Sequence, residues 1–534
     1  MKRAGKNKSG LFVLWSLSFV IFSLTSSSFS SLPGDRAREN ILASWGQRQE
    51  FESFLASKRA AIVQEYMEFL AIPNVAADRE NMRRNALFIQ AMLERRGVRA
   101  SLIEQEGCPP LVCGELVVPG ASKTLLLYAH YDGQPVNPSE WTSPPWKPVL
   151  RDGLLEEGGK EIPVSVLEKS SGEEFRLYAR SASDDKAPIM AVAAALDFLR
   201  SRSLELSINV KFLFEGEEEA GSPHLLGLLE KNKSLLSGHG ILLCDGPVHQ
   251  TRRPQIVFGA RGMLDLEMTV YGPKRALHSG HYGNWAPNPA ALLANLLATM
   301  RDSRGKILIE NFYGDVVPLT AEERQAIAEA PQIDALLLQE FELAWSEDQK
   351  YRLEQRIMLP AMNIRGLESG HVEEKAANAI PTEAKASVDF RLVPHQTPQK
   401  VRELVEKHFL KQGFHIVDST PDRETRLKHP RLVKLEWGEG YPPARTPMSA
   451  PFAKAVVHSL EKVAGPSLIK MPSLGGSIPM RGIMDVLEID AILLPIVNHD
   501  NNQHGPNENL RLQNLWEGIA LFSSLFAGLG KHWL

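Results

Sequence analysis

Three short apolar segments that end in acidic or histidine residues constrain the fold of this chain most strongly. They cover residues 124–132, 207–214 and 240–245, and the second runs directly into an acidic stretch. Apolar runs of strand length that alternate with helical patterns, here the Ala-rich segment 186–202, are typical of parallel strands covered by helices on both faces. Ligands bind such sheets at the carboxyl ends of the strands. The sequence therefore predicts an α/β fold whose polar strand ends meet at one edge of the sheet.

The pattern changes at about residue 255. Segments 263–271 and 385–392 alternate apolar and polar residues, which indicates strands of a sheet with one exposed face. The last part of the chain returns to helical patterns and a buried strand. A chain of 534 residues is also longer than one hydrophobic core usually serves. We therefore predict a first domain over 35–254 and 446–534, interrupted by an inserted α+β domain over 255–445.

The first 31 residues have the order of an export signal. Four basic residues precede an apolar run at 11–24, and a Ser-rich stretch follows at 26–31. The apolar run is shorter than the ~20 residues that a membrane-spanning helix needs. Residues 1–31 are therefore predicted to be a signal peptide of a periplasmic or secreted protein, with an uncleaved N-terminal membrane anchor as the alternative.

The composition excludes some classes of protein. The chain has 60 basic and 64 acidic residues and a formal net charge of −4, so no basic excess indicates a nucleic-acid partner. Its three cysteines, Cys108, Cys113 and Cys244, are too few for a disulfide framework. Whether Cys108 and Cys113 form a disulfide or remain free thiols is left open by the sequence.

The polar strand ends carry the residue types that a hydrolase with two zinc ions needs. Zinc binds neutral imidazole and carboxylate oxygen, and two neighbouring ions share a bridging carboxylate. A further carboxylate must remain free to accept a proton from water. Each motif is weak alone, because a single histidine or aspartate is usually structural and an acidic run is usually solvated. The candidates are His130 and Asp132 in HYDGQP, Asp184 and Asp185 in SASDDKAP, Glu218 and Glu219 in EGEEEAGS, Asp245 after the third strand, and His504 in NNQHGPNE.

In combination, these motifs resemble those of the clan MH metallopeptidases, the family of carnosinase-type dipeptidases, glutamate carboxypeptidase, aminoacylase and succinyl-diaminopimelate desuccinylase. The likeness is strongest to the carnosinase-type dipeptidases and covers roughly residues 50–530. Further stretches that carry it are NFYGDVVPLTAEE from Asn311, NAIPTEAKASVDFRLVP from Asn378, GGSIP from Gly475 and NNQHGPNE from Asn501. The resemblance implies a catalytic domain with a mixed, mainly parallel sheet, and an inserted ferredoxin-like α+β domain that serves as lid and dimerisation domain.

The resemblance also implies a role for each matching residue. The implied metal ligands are His130 and Asp245 for one zinc, Glu219 and His504 for the other, and Asp184 as the bridge. The implied catalytic residues are Glu218 as general base, Asp132 as the residue that orients His130, and His278 of the lid, which polarises the scissile carbonyl. The implied substrate-binding residues are Arg391, which grips a carboxylate, together with Asn378, Gly475, Gly476 and Ser477.

The expected function is that of a metallopeptidase that hydrolyses dipeptides or short peptides with two zinc ions, or manganese or cobalt in their place. An N-acyl amino acid deacylase would use the same site, whereas a non-catalytic binding homologue would lack the base or a ligand. The family resemblance further implies a homodimer formed through the lid domain. The chain departs from the usual family pattern at Ala179, Ser181 and Ala187, where glycine is usual, at Gly133, where valine is commoner, and at Leu474, where a charged residue is frequent.

Overall fold

A computed structural model of the chain describes residues 45–476, 478 and 480–533. The predicted export signal at 1–31, the start of the predicted first domain and Ser477 lie outside the described residues. Within the described part, none of the helices combines the length and apolar character that crossing a membrane requires. Cys108, Cys113 and Cys244 are buried free thiols, so the alternative of a Cys108–Cys113 disulfide is not realised.

The part of the described chain up to Ala260 alternates helices and strands, and includes the three predicted apolar strands. Its helices are α1 (Arg48–Leu70), α2 (Arg79–Glu94), α3 (Lys186–Ser201) and α4 (Leu225–Lys231). Its strands are β1 (Arg99–Ile103), β2 (Leu111–Leu116), β3 (Thr124–His130), β4 (Val149–Arg151), β5 (Arg176–Tyr178), β6 (Asn209–Glu215), β7 (Gly240–Leu243), β8 (Gln255–Val257) and β9 (Gly259–Ala260).

The remaining chain contributes a second group of strands and then returns to the first sheet. Its strands are β10 (Gly262–Tyr271), β11 (Leu277–His278), β12 (Ala361–Glu368), β13 (Ala379–Ile380), β14 (Glu383–Leu392), β15 (His415–Val417), β16 (Leu432–Trp437), β17 (Ala444–Arg445), β18 (Ile469–Met471), β19 (Asp490–Leu493) and β20 (Asn509–Arg511). Its helices are α5 (Ser279–Tyr282), α6 (Pro289–Met300), α7 (Ala321–Glu329), α8 (Asp334–Glu340), α9 (Leu353–Arg356), α10 (Pro398–Lys411), α11 (Arg423–Lys428), α12 (Pro451–Ala464), α13 (Met480–Leu487) and α14 (Leu512–His532).

The main sheet has eight strands in the order β1-β2-β6-β3-β7-β19-β8-β18. Strand β3 is parallel to both β6 and β7, and β7 is parallel to β19. Antiparallel pairs occur between β1 and β2, β2 and β6, and β8 and β19. The mixed sheet confirms the predicted fold class. Strands β18 and β19 come from the end of the chain, so this sheet is built from two distant segments.

Helices cover both faces of the main sheet. Alternate residues of β3 point to opposite sides, with Leu125 and Leu127 in one apolar core and Leu126 in the other. The first core is closed by α1, α3, α12 and α14, and the second by α4 and α13. Burial on both faces explains why the strand sequences are almost continuously apolar.

The second sheet has five strands in the order β12-β14-β10-β16-β15 and is antiparallel except between β15 and β16. Helices α6 and α10 pack on one of its faces and form a separate apolar core. Both helices begin at a capping residue followed by proline: Asn288 accepts from the amides of Ala290 and Ala291, and Thr397 accepts from that of Lys400. This sheet has the α+β character predicted for 255–445, whose exact limits remain a prediction.

Candidate metal centre

The carboxyl ends of β3, β6 and β7 bring the predicted polar residues together. His130 is the last residue of β3, the acidic run 217–219 follows β6, and Asp245 follows β7. The three strands are parallel neighbours, so their carboxyl ends lie at the same edge of the sheet. Asp184 joins them from the turn before α3. The fold therefore brings these predicted residues together at one edge of the sheet.

Asp184 lies between two histidines from distant parts of the chain. Its Oδ1 is 2.9 Å from Nε2 of His130, and its Oδ2 is 3.1 Å from Nε2 of His504. Burial opposes ionisation of this buried carboxyl group, but hydrogen bonding and charge from the two histidines lower the pKa of Asp184 below its usual range. Each oxygen of Asp184 thus faces a different imidazole, as expected of a carboxylate shared by two cations.

Two overlapping groups of side chains could hold metal ions. The ligand atoms of each group lie within 4.8 Å of one another, and the groups are His130, Asp184, Glu219 and His130, Asp185, Asp245. The sequence analysis gave no role to Asp185, which is buried and accepts a hydrogen bond from the amide of His130 at 3.2 Å. Both aspartates of the SASDDKAP motif therefore face the cluster.

The chemistry of this donor set fits divalent cations. Burial, together with neighbouring carboxylates, raises the pKa of Glu218 and of Glu219 to about 7 and that of Asp245 to about 6. A bound cation would stabilise the crowded negative charges of these buried carboxylates.

The three residues of the acidic run point in different directions. Glu217 turns away from the cluster, since its carboxylate is 2.9 Å from Nδ1 of His224. Glu218 approaches His130, with 4.0 Å between Oε2 and Nε2. Oε2 of Glu219 lies 3.4 Å from Nε2 of His504 and accepts a hydrogen bond from Gln134 at 2.7 Å. Only Glu219 of this run belongs to a candidate ligand group, a placement consistent with the roles predicted for Glu218 and Glu219.

Asp132 connects His130 to the acidic run. Its Oδ1 lies 3.3 Å from Nδ1 of His130 and accepts from the amide of Glu218, while its Oδ2 accepts from the amide of Glu219. The carboxylate is fully buried. One side chain thus fixes a histidine relative to two glutamates, which agrees with an orienting role.

The departures at Gly133 and Ser181 compensate each other in space. Ser181 has a φ of 62°, a left-handed conformation that explains why glycine is usual at this position. Its Oγ occupies the space that a Cβ on residue 133 would need. The serine is therefore accommodated because residue 133 is a glycine.

Two predicted site residues of the lid, His278 and Asn378, lie in neighbouring segments. His278 is exposed, its Nδ1 accepts from the amide of Gly280, and its ring lies 4.5 Å from that of His281, tilted by 41°. Asn378 is beside it, since its carbonyl oxygen accepts from the amide of Ser279. Within the described part of the chain, no hydrogen bond or ion pair joins His278 to the candidate metal ligands.

Arg261, which the sequence analysis did not identify, lies near two of the predicted substrate-binding residues, Gly475 and Arg391. Nε of Arg261 donates to the carbonyl oxygen of Gly475 at 2.8 Å, and Gly476 is exposed beside it. Burial and the nearby charge of Arg391 lower the pKa of Arg261 to about 10. Nε of Arg391 contacts Oδ2 of Asp389 at 2.8 Å. The guanidinium group of Arg261 therefore contacts the glycine loop, and that of Arg391 lies near enough to Arg261 to lower its pKa.

Sequence reasoning also missed Gln134 and Glu508. Each lies inside a motif that was already recognised, HYDGQP for Gln134 and NNQHGPNE for Glu508, so proximity to a predicted ligand was an available signal. Gln134 donates to Glu219. Glu508 is fully buried and accepts from the amide of Asp184 at 2.9 Å.

Comparisons with known proteins show which family the chain resembles along most of its length. A family model described as "Peptidase family M20/M25/M40" matches residues 126–527. The Cys-Gly metallodipeptidase dug1 of Schizosaccharomyces pombe is 26% identical over 488 residues, covering 87% of this chain and 94% of that protein. The Beta-Ala-His dipeptidase of Homo sapiens is 27% identical over 498 residues, covering 88% and 90%. Among solved structures, the M20 family metallo-carboxypeptidase Sso-CP2 from Sulfolobus solfataricus superposes with a TM-score of 0.69 at 31% identity, covering 88% and 99%.

Proposed function

Because the chain belongs to Peptidase family M20/M25/M40, as the resemblance of its motifs predicts, we propose that it is a metallodipeptidase with two metal ions and Glu218 as its general base. The chain is a hydrolase of this family, and curated relatives along most of its length are named metallodipeptidases. The observation that carries the finer proposal is the position of Asp184, whose two oxygens face His130 and His504 separately.

The proposed ligands divide into two sets that share Asp184. His130 and Asp245 would hold one ion, while Glu219 and His504 would hold the other. Imidazole and carboxylate ligands suit zinc, and manganese or cobalt are the alternatives. The chemistry that such a pair of ions supplies when bound is a polarised substrate carbonyl and a lowered pKa of water.

Glu218 is the proposed carrier of the proton. It is half-buried beside His130 and does not belong to either candidate ligand group. Burial, together with the nearby Asp245 and Glu219, raises the pKa of Glu218 to about 7, so the group can both accept and return a proton near neutral pH. Glu218 would take a proton from the attacking water and deliver it to the nitrogen of the leaving amine.

The substrate is proposed to carry a free C-terminal carboxylate. The planar guanidinium of Arg391 is suited to bind a carboxylate through two parallel hydrogen bonds. Asp389 fixes Nε of Arg391. Dipeptides and short peptides meet this requirement, and so do N-acyl amino acids.

One observation keeps N-acyl amino acid deacylation as the second candidate function. Leu474, which precedes the glycine loop, is partly buried against an apolar core. A leucine at this position cannot form an ion pair with the positively charged amino terminus of a dipeptide. An N-acyl amino acid has no charged amino terminus and therefore needs no such partner. The same metal ligands, Glu218 and Arg391 would serve either reaction.

A substrate panel on the purified, metal-stripped and reconstituted protein tests the proposal. The panel contains dipeptides, the same dipeptides with a C-terminal amide, and N-acetyl and N-succinyl amino acids. We expect hydrolysis of dipeptides with free termini that depends on added zinc, manganese or cobalt. Faster hydrolysis of the N-acyl amino acids would favour the second candidate, and no metal-dependent cleavage of any member would contradict both.

We further propose that the protein acts as a homodimer in which His278 serves the site of the partner subunit. His278 is exposed and makes no described contact with the metal ligands of its own chain. Strand β12 lies at an edge of the second sheet and carries the exposed apolar residues Ile364 and Leu367. An uncovered apolar edge strand is a natural site for pairing with another copy.

Subunit complementation tests the shared site. His278→Ala and Glu218→Ala subunits, each inactive alone, are mixed under conditions where subunit exchange is verified with labelled protein. We expect partial activity to return, because one hybrid site receives both an intact His278 and an intact Glu218. Verified exchange without any recovered activity would rule out the shared site.

A further inference from the structure

The fully buried carboxylate of Glu508 accepts five hydrogen bonds from the turn that carries Asp184. Its Oε2 accepts from Nη1 of Arg180 at 2.7 Å and from the amide of Ser181 at 3.0 Å. Its Oε1 accepts from the amide and the hydroxyl of Ser183 and from the amide of Asp184, each at 2.9 Å. Three of the five donors are backbone amides, so the carboxylate fixes the course of the main chain up to Asp184.

The same carboxylate joins two ligand-bearing segments that are 324 residues apart in sequence. The carbonyl oxygen of Glu508 accepts from the amide of Ala179 at 3.1 Å, and strand β20, which follows it, pairs with β5. Arg180, paired with Glu508, reaches the carbonyl oxygen of His504 with Nη2 at 3.4 Å and lies over the ring of Trp141. The chain on both sides of this contact therefore leads directly to a predicted ligand, Asp184 on one side and His504 on the other.

Only an ionised carboxylate satisfies this set of partners. All five contacts are donors, and a carboxylate offers two oxygens that only accept. In a glutamine, the NH₂ group would replace one of the two oxygens. It would then face either the two donors that bind Oε2 or the three donors that bind Oε1, so hydrogen bonds would be lost in both orientations of the amide. The positive charge of Arg180 would also lose its buried partner.

We propose that Glu508 is a positioning residue that fixes Asp184 and His504 relative to each other and thereby sets the affinity for the metal ion they share. The inference rests on the metal centre of the proposed function. Partners that orient metal ligands from behind typically change metal affinity by about 10- to 100-fold when they are replaced. Both oxygens of Glu508 are occupied by these five protein donors, so its effect passes through the two ligands.

The test is a metal titration of the full-length protein after chelator treatment, with Zn²⁺ and with Co²⁺, whose visible spectrum reports ligand geometry. We expect wild type to bind two ions, and Glu508→Gln to weaken the site that Asp184 shares with His504 by about 10- to 100-fold and the other site, which has only Asp184 in common with it, by less. Glu508→Asp, which keeps the charge and both acceptor oxygens, should recover part of that affinity. Excess metal should restore turnover of Glu508→Gln more than that of Glu218→Ala.

Asp500→Asn is the matched control. Asp500 lies four residues before His504 and forms an ion pair with Arg176 at 2.7 Å, but it makes no described hydrogen bond with residues 181–184. We expect this variant to unfold at lower temperature and to bind both ions as wild type does. Equal loss of metal affinity in Asp500→Asn and Glu508→Gln would overturn the proposal. Metal affinity would then fall whenever any contact that holds the loop before His504 is lost, and Glu508 would have no special role.

Ser183→Ala tests whether Glu508 positions the metal ligands if Glu508→Gln does not fold. It removes one of the five donors, the hydroxyl at 2.9 Å, with little change of shape. We expect one site to weaken severalfold, and unchanged affinity for both ions would overturn the proposal. The titration does not depend on turnover, so a wild type that binds two ions and cleaves no peptide would contradict the proposed function alone.

Discussion

The paired departures Gly133 and Ser181 predict a strong coupling between two positions that flank the metal centre. An added Cβ on residue 133 would come closer than 3.0 Å to Oγ of Ser181, a distance that real side-chain carbons do not reach. It would also lie 3.1 Å from Nδ2 of Asn74 and 3.2 Å from Cδ of Arg180. Both neighbours are buried, so none of the three atoms can move away freely.

The free energies of unfolding follow from these contacts. Gly133→Ala should destabilise the protein by about 1–3 kcal/mol, the usual cost of overpacking a closed site. Ser181→Gly loses two hydrogen bonds of Oγ, one from Nδ2 of Asn74 at 2.8 Å and a longer one to the carbonyl oxygen of Asp132 at 3.3 Å, together worth about 2 kcal/mol. The change also removes a serine from the left-handed region, which stabilises the fold by about 1–2 kcal/mol. The single change should therefore be nearly neutral. In the double variant, residue 181 has no Oγ to clash with the Cβ of residue 133. The decrease in the free energy of unfolding caused by Gly133→Ala should therefore largely disappear.

Denaturant unfolding of wild type, Gly133→Ala, Ser181→Gly and the double variant, each stripped of metal, measures the coupling free energy between the two positions. We expect a favourable coupling free energy of about 1–3 kcal/mol, whereas independent sites would add to within about 0.5 kcal/mol. The metal content of each variant is measured in parallel, because Ser181 precedes Asp184 by three residues. Additive free energies would refute the argument that Gly133 makes room for Ser181.

Three further predictions concern the substrate, the orienting carboxylate and the leader. A C-terminally amidated dipeptide should be a poorer substrate in kcat/KM by roughly 10- to 150-fold, as loss of a charge-assisted contact of about 1.5–3 kcal/mol implies, and equal rates on acid and amide would exclude that role for Arg391. Asp132→Asn should lower metal affinity by about 10- to 100-fold in a chelator competition. The reason is that the NH₂ group of the asparagine would face the backbone amide of Glu218 or of Glu219, and two donors cannot form a hydrogen bond with each other. An affinity equal to that of wild type would contradict this prediction. Fractionation of the native host with N-terminal sequencing should find the protein outside the cytoplasm, and a cytoplasmic protein that retains Met1 would end the export proposal.

Much of the site could be predicted because it depends on local sequence pattern. Strand β3 is apolar up to its last residue, His130, and β7 is apolar up to the approach of Asp245, so both residues had to emerge at the edge of the sheet. Parallel pairing then placed these ends side by side. Such patterns carry information because the period of a strand and its burial are properties of neighbouring residues.

The rest of the site depends on contacts that no local pattern contains. The direction of each residue in the run 217–219 depends on a short turn and on the pairing of Glu217 with His224. The hydrogen bonds of Glu508 join segments 324 residues apart, and their donors are mostly backbone amides whose positions follow only from the folded turn. The motif names Asp185 as a candidate beside Asp184, but only the fold shows that Asp185 accepts from the amide of His130 while Asp184 faces its ring.

Metal content and turnover of glutamine variants in the run 217–219 test the central claim most directly. The claim is that Glu218 carries the proton while Glu219 holds metal. Glu218→Gln should keep two ions per subunit, measured by elemental analysis, and lose nearly all turnover of a dipeptide. Glu219→Gln should lose one ion together with activity, and Glu217→Gln, whose side chain pairs with His224, should keep both. Loss of metal from Glu218→Gln with full metal in Glu219→Gln, or turnover retained by Glu218→Gln, would contradict the account.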